Sequence, residues 1–411
     1  MTGFEIAACV VCLAASLGYV NARFLQLPSA IGLMAISLVG TFLVLGLEVA
    51  GVVSSDALEH FVERIDFANV LMHGLLGFLL FAGALHVDLA DLSTHKWSVA
   101  ALALGATLLS TFMVGLSTWL ALRGLGLPVS LGHALLFGAL ISPTDPIAVL
   151  GILRAARVPD AIAVQISGES LFNDGVGVVL FVVLGAFAGG EPPSATQAVV
   201  LFLREAVGGS LFGLALGYAG YRVLRSVDDY SVEVLITVAL VVGGYVVAER
   251  LHISAPIAAV VSGLVVGNHG RQHGMSDRTR EHVDMFWKLL DEMLNAVLFL
   301  LLGLQATRLE LSRPLILAML LVIPIALSAR LASVAMTVPL LRYKAPNAIK
   351  ILTWGGLRGG ISVALALSLP VGSARGTLLA LTYAVVTFSI LVQGLTLGPL
   401  LKHIAALPRR S

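Results

Sequence analysis

The sequence predicts an all-α polytopic membrane protein of about thirteen transmembrane helices, arranged as an inverted repeat around two crossing broken helices. Three observations carry that prediction. Of the 411 residues, 58% are hydrophobic and only 12% charged, with a mean hydropathy of +0.97, whereas soluble domains carry about 25% charged residues. Apolar runs long enough to cross a hydrocarbon core of about 30 Å recur along the whole chain, and almost none has the polar face at period 3.6 that a soluble helix needs. Two of these runs are interrupted by prolines or glycines at corresponding places in the two halves.

The runs fall near 4–21, 28–50, 68–87, 97–121, 130–153, 159–187, 197–225, 231–249, 253–269, 283–304, 313–341, 346–370 and 376–401. The first has no Lys or Arg before it and no cleavage-like pattern, so it reads as a retained span rather than a secretory signal. Cys9 and Cys12 stand one turn apart inside it and read as packing residues. With a cytoplasmic C-terminus, fifteen Lys and Arg fall on the cytoplasmic side. Six fall on the other (Arg64, Arg123, Arg250, Arg308, Arg313 and Arg375), and four lie within spans. The positive-inside rule thus places the N-terminus outside, on the periplasmic face of the cell inner (plasma) membrane. The longest polar stretch, Asn268 to Glu281, reads as a solvated linker, with His269, His273 and His282 as loop residues lacking the tight spacing of metal ligands.

Charges inside a span cost about 2.5–3.5 kcal/mol on insertion scales, so those retained point to function. The fifth span contains Ser142-Pro143-Thr144-Asp145-Pro146. One proline would read as a kink; two around an acid predict an unwound helix whose freed backbone groups face protein or water. The sixth span contains Glu169-Ser170-Leu171-Phe172-Asn173-Asp174. Ser170 and Asp174 share one helix face, while Glu169 and Asn173 form a second pair about 100° around. This oxygen-rich set suits a hard cation, and hydrogen-bonding glue between helices does not account for two acids. The twelfth span contains Gly355-Gly356-Leu357-Arg358-Gly359-Gly360, which predicts a second break; close packing by small residues is the other reading. Arg330, deep in the eleventh span, requires a carboxylate partner, and Glu169 is the candidate, with Arg358 as the alternative cation.

These elements, in this order and spacing, resemble the NhaP-type sodium/proton antiporters of the monovalent cation/proton antiporter superfamily, across essentially every span. The resemblance implies a homodimer in the lipid bilayer, with scaffold helices at 1–94 and 191–310 and an ion-translocating core at 95–190 and 311–411 that moves like an elevator. It implies that the acid at Asp174 carries the ion or proton and that Thr144 and Ser170 help coordinate Na+. It further implies that Asp145 caps the facing half-helix, that Glu169 pairs with Arg330, and that the Asn173–Asp174 pair goes with electroneutral exchange. Some relatives carry an additional acid in the third span; here position 82 is alanine, and His86 and Asp88 lie nearer the span's end.

The expected function is therefore exchange of Na+, with Li+ open, for H+ by a secondary transporter. A potassium/proton exchanger on the same fold is the alternative that the residues leave open. A channel would need a filter-like ring or a continuous polar path. An enzyme would need metal-spaced histidines or a nucleophile elbow, and the sequence offers neither. No cofactor and no nucleic-acid partner is expected; Na+ and H+ are the substrates.

Overall fold

A computed structural model describes residues 2–50, 61–62, 65–145, 149, 160–188, 194–271, 274–305, 312–340, 347–370 and 372–406. The described residues are helical nearly throughout. In chain order the principal helices are α1 (Gly3–Val20), α2 (Ser29–Val49), α3 (Val70–Leu85), α4 (Lys96–Gly124), α5 (Leu131–Ile141), α6 (Asp160–Ala188) and α7 (Ala195–Leu224). They continue with α8 (Tyr230–Arg250), α9 (Ala255–Gly270), α10 (Asp277–Leu304), α11 (Arg313–Thr337), α12 (Ala348–Trp354), α13 (Gly360–Leu367) and α14 (Ala374–Ile404). Among the described residues eight helices are long and apolar enough to cross a membrane, with shorter apolar ones between them. Where the residues are described, the apolar runs read from the sequence fall on these helices; most of the second half of the fifth run lies outside the described residues.

Polar caps mark where the helices begin. Thr2 and Glu5 form a capping box on α1, and Ser194 and Gln197 form another on α7. Ser130, Ser254, Ser276 and Ser312 accept backbone N–H bonds at the starts of α5, α9, α10 and α11. Each satisfies an amide that would otherwise be left bare near hydrocarbon. The outer faces carry exposed Leu, Val and Phe, as a lipid-facing surface does: Leu203, Leu211 and Leu214 on α7, Leu317 and Leu320 on α11.

Two packing groups position the site. In one, α4 lies on α5 and α11, α5 lies on α6, and α11 and α13 pack on α14. In the other, α7 lies on α9 and α9 on α3, while α2 packs along α10.

The stretch expected as a solvated linker from Asn268 is shorter than the sequence suggested. α9 runs through Gly270 and α10 starts at Asp277. Asn268 is buried: its amide donates to the carbonyl of Val87 at 2.9 Å and accepts from the N–H of Leu89 at 2.8 Å. A side-chain amide this deep finds backbone partners in place of water. Of the three expected loop histidines, His269 ends α9 and His282 stacks on Tyr230 within α10 at 4.6 Å; His273 lies outside the described residues. Among the described residues no group of three or more His, Cys, Asp or Glu side chains could hold a metal. Cys9 and Cys12 are free thiols on the outer part of α1.

Candidate ion-binding site

The fifth predicted span breaks where its prolines require. α5 ends at Ile141 with Ser142 as its C-cap, and Pro143 to Asp145 lie outside the helix. Pro143 lacks an N–H and its ring cannot fit a continuing turn, so the helix stops one residue before it, at Ser142, which still has helical dihedrals and donates its N–H to the carbonyl of Gly138. The ring sits against Gly177 of α6, where an added Cβ would lie 2.1 Å from the Pro143 Cγ. The rest of this span, including Pro146, lies outside the described residues apart from residue 149.

The twelfth span breaks at its glycines: α12 stops at Trp354 and α13 starts at Gly360. The two breaks cross, and each supplies the hydrogen bonds the other has lost. The N–H of Asp145 donates to the carbonyl of Leu357 at 2.7 Å. The Arg358 guanidinium donates to the carbonyls of Ser142 and, at 2.8 Å, Pro143. Ser362 Oγ donates to the carbonyl of Leu140 at 2.6 Å. Arg358 thus places a cation on the C-terminal carbonyls of α5, the negative end of that half-helix.

Asp145 lies at the opposite pole, where α13 begins. An added Cβ on Gly359 would stand 2.2 Å from Asp145 Oδ2, so only glycine lets this carboxylate come so close to the helix start. A carboxylate there is stabilised by the partial positive charge of the helix N-terminus.

The α6 cluster divides its work between two directions. Glu169 and Arg330 are 1% and 3% exposed and form a bidentate pair, with Arg330 Nη1 to Glu169 Oε1 at 2.5 Å and Nη2 to Oε2 at 3.0 Å. Arg330 also donates to the carbonyl of Leu352, the last turn of α12. Asn173 turns the other way, toward the α5 break. Its Nδ2 donates to Thr144 Oγ1 at 2.9 Å, and its Oδ1 accepts from the Thr144 N–H at 3.2 Å. Ser170 Oγ lies 2.9 Å from the same Thr144 hydroxyl. Asp174, one turn beyond Ser170 on its face, is 6% exposed and makes no hydrogen bond among the described residues. In the third predicted span, Ala82 is packed in the core and Asp88 caps a short helix at Ala90.

The crossing therefore brings together a carboxylate, two hydroxyls, an amide and the polar ends of two half-helices, in protein otherwise filled with Leu, Val and Ala. Such a set can hold a small hard cation through oxygen atoms. Two polar groups were missed in the sequence. Asp291 and Asn295 of α10 are hydrogen-bonded to each other at 3.1 Å, and Glu233, at the start of α8, is fully buried. The within-span charge criterion used for Arg330 and Arg358 would have found Asp291, since it falls inside the predicted tenth span.

A family profile described as "Sodium/hydrogen exchanger, transmembrane" matches residues 11–403. The Na+/H+ antiporter NhaP of Pseudomonas aeruginosa is 48% identical over 411 residues, covering 98% of this chain and 97% of its own length. The Na+/H+ antiporter NhaH of Halobacillus dabanensis is 36% identical over 390 residues, covering 93% of each. The structure of the sodium proton antiporter MjNhaP1 from Methanocaldococcus jannaschii shares the fold, with a TM-score of 0.76 at 20% identity over 97% of this chain and 98% of that one. The chain belongs to the sodium/hydrogen exchanger family.

Proposed function

We propose that this protein is a secondary active transporter that exchanges Na+ for H+ across the plasma membrane by alternating access, one cation for one proton. Asp174 carries this reading. It is a buried carboxylate beside a hydroxyl pair, on the same helix as Glu169, which is already matched by Arg330. A buried charge is costly unless compensated. A proton or a cation can each compensate it, and the arrival of one displaces the other.

In this reading Na+ is bound by Asp174, Ser170 and Thr144, with Asp145 adding negative charge at the start of α13. Asn173 orients Thr144, Glu169 and Arg330 brace α6 against α11, and Arg358 holds the two breaks together. None of these supporting groups needs to titrate. Segments 95–190 and 311–411 form the moving core, and 1–94 and 191–310 the scaffold on which two copies dimerise. The N-terminus is periplasmic and the C-terminus cytoplasmic. Support for Na+ as substrate comes from the relatives, both named as Na+/H+ antiporters.

Purified protein in proteoliposomes, loaded with a pH gradient and challenged in turn with Na+, Li+ and K+, tests the proposal. Na+ should dissipate the gradient, and Asp174→Asn should insert normally yet show no exchange above empty liposomes. Wild-type-like exchange by that variant would remove the central claim.

A further inference from the structure

α10 carries a polar pair that the exchange reaction described above does not use. Asp291, Asn295 and Leu298 stand at i, i+4 and i+7, so they share one helix face. The far end of this stripe reaches the crossing. Leu298 packs on Gly360, where an added Cβ would lie 2.6 Å from its Cδ1, and the neighbouring Gly359 abuts the Asp145 carboxylate. Asn295 donates Nδ2 to Asp291 Oδ1 at 3.1 Å. Asn295 is 5% exposed, and its own Oδ1 is buried with no hydrogen-bond partner among the described residues. No cation pairs with Asp291 among those residues either. A buried acceptor left open beside an uncompensated carboxylate is a place where a cation would be welcome.

The three carboxylates also differ in burial. Asp291 and Asp145 are partly buried, whereas Asp174 is enclosed. Asp145 lies within electrostatic reach of both others. We propose that Asp291 and Asn295 form a relay site that receives the incoming cation on α10 and passes it, by way of Asp145, to Asp174. This rests on the Na+/H+ exchange reading and adds a specific step to it. Negative charge in a low-dielectric surrounding raises the local cation concentration and the rate of arrival, an effect that salt screens.

The test is exchange in proteoliposomes at fixed pH over a range of Na+ concentrations, for wild type, Asp291→Asn, Asp291→Glu and Asn295→Ala. Asp291→Asn should raise the apparent KM for Na+ about five- to tenfold with the maximal rate within about twofold. Asp291→Glu should recover most of the affinity, and Asn295→Ala should give an intermediate rise. Raising the ionic strength with choline chloride should narrow the gap between wild type and Asp291→Asn, which a merely structural role would not do. An unchanged KM in Asp291→Asn overturns the relay while leaving the exchange reading intact. So does a fall in maximal rate and melting temperature with no recovery by glutamate. Should Asp291→Asn fail to fold, a wild-type KM in Asn295→Ala overturns it equally. Absence of Na+ exchange by the wild type overturns both, and the wild-type arm alone reveals it.

Discussion

Asn173 holds Thr144 at two points, donating to its hydroxyl and accepting from its backbone N–H. Thr144 lies in an unwound segment with no helical neighbours to fix it, so this amide sets where its hydroxyl stands relative to Ser170. Asn173→Ala removes both bonds and leaves a buried N–H without an acceptor, at a cost of about 1–3 kcal/mol. The variant should still exchange ions, with an apparent KM for Na+ raised roughly tenfold. Na+ titration of exchange in proteoliposomes measures this.

Glu169 and Arg330 should matter to stability before they matter to ion affinity. Removing one partner of a buried, bidentate pair strands the other charge and costs about 3–5 kcal/mol. Glu169→Gln and Arg330→Ala should therefore melt well below wild type in detergent. Arg330→Ala should suffer further, because the carbonyl of Leu352 loses its donor. Thermal unfolding followed by tryptophan fluorescence checks the order. A wild-type melting temperature for Arg330→Ala would show that the pair contributes nothing.

Exchange should carry no net charge. With Glu169 matched by Arg330 and Asn173 unable to titrate, Asp174 is the one acid of the α6 cluster left to trade a proton for a cation. Proton and Na+ then compete, so the apparent KM for Na+ should rise as pH falls and level off at high pH. A membrane potential imposed on proteoliposomes without other gradients should move no Na+. Asn173→Asp adds a second carboxylate, and its exchange should become sensitive to the same potential.

Gly359→Ala tests how closely Asp145 must approach the start of α13. The new methyl would lie 2.2 Å from Asp145 Oδ2 and 2.7 Å from its Cβ, so the Asp145 backbone at the crossing must shift along with the carboxylate. Transport should fall by an order of magnitude or more, and the melting temperature should fall as well, because the crossing must open to admit the methyl. Paired transport and melting measurements separate the two effects.

Much of this arrangement was legible in the sequence because its signals are local. Pro143 and the glycines from Gly355 to Gly360 act on their own backbone, so both breaks could be placed without a neighbour. A guanidinium buried as deeply as Arg330 requires a carboxylate nearby, so Glu169 was its candidate, with Arg358 left open as the alternative cation until the structure paired Glu169 with Arg330. What could not be read was orientation. Asn173 is paired with Glu169 by helix periodicity, yet it turns to Thr144, whose position depends on a break in another helix. Arg358 was a candidate for a carboxylate and instead serves two carbonyls, and backbone oxygens leave no mark in a sequence. Asp291 was overlooked because α10 is amphipathic and its acids blend into the polar stretch that precedes it.

The mutual repair of the two breaks also constrains how the protein can be made. Ser142 and Arg358 are 216 residues apart, so the carbonyls left free at the end of α5 wait for a donor until most of the chain has left the ribosome. Until then the α5 break cannot rest against lipid, where a bare carbonyl has no partner, and it must stay near water or a translocation partner. The crossing of the two breaks is thus among the last parts of the molecule to form. A nascent chain interrupted before Arg358 presents an unfinished seam inside the membrane, a distinguishing mark by which quality control can recognise it.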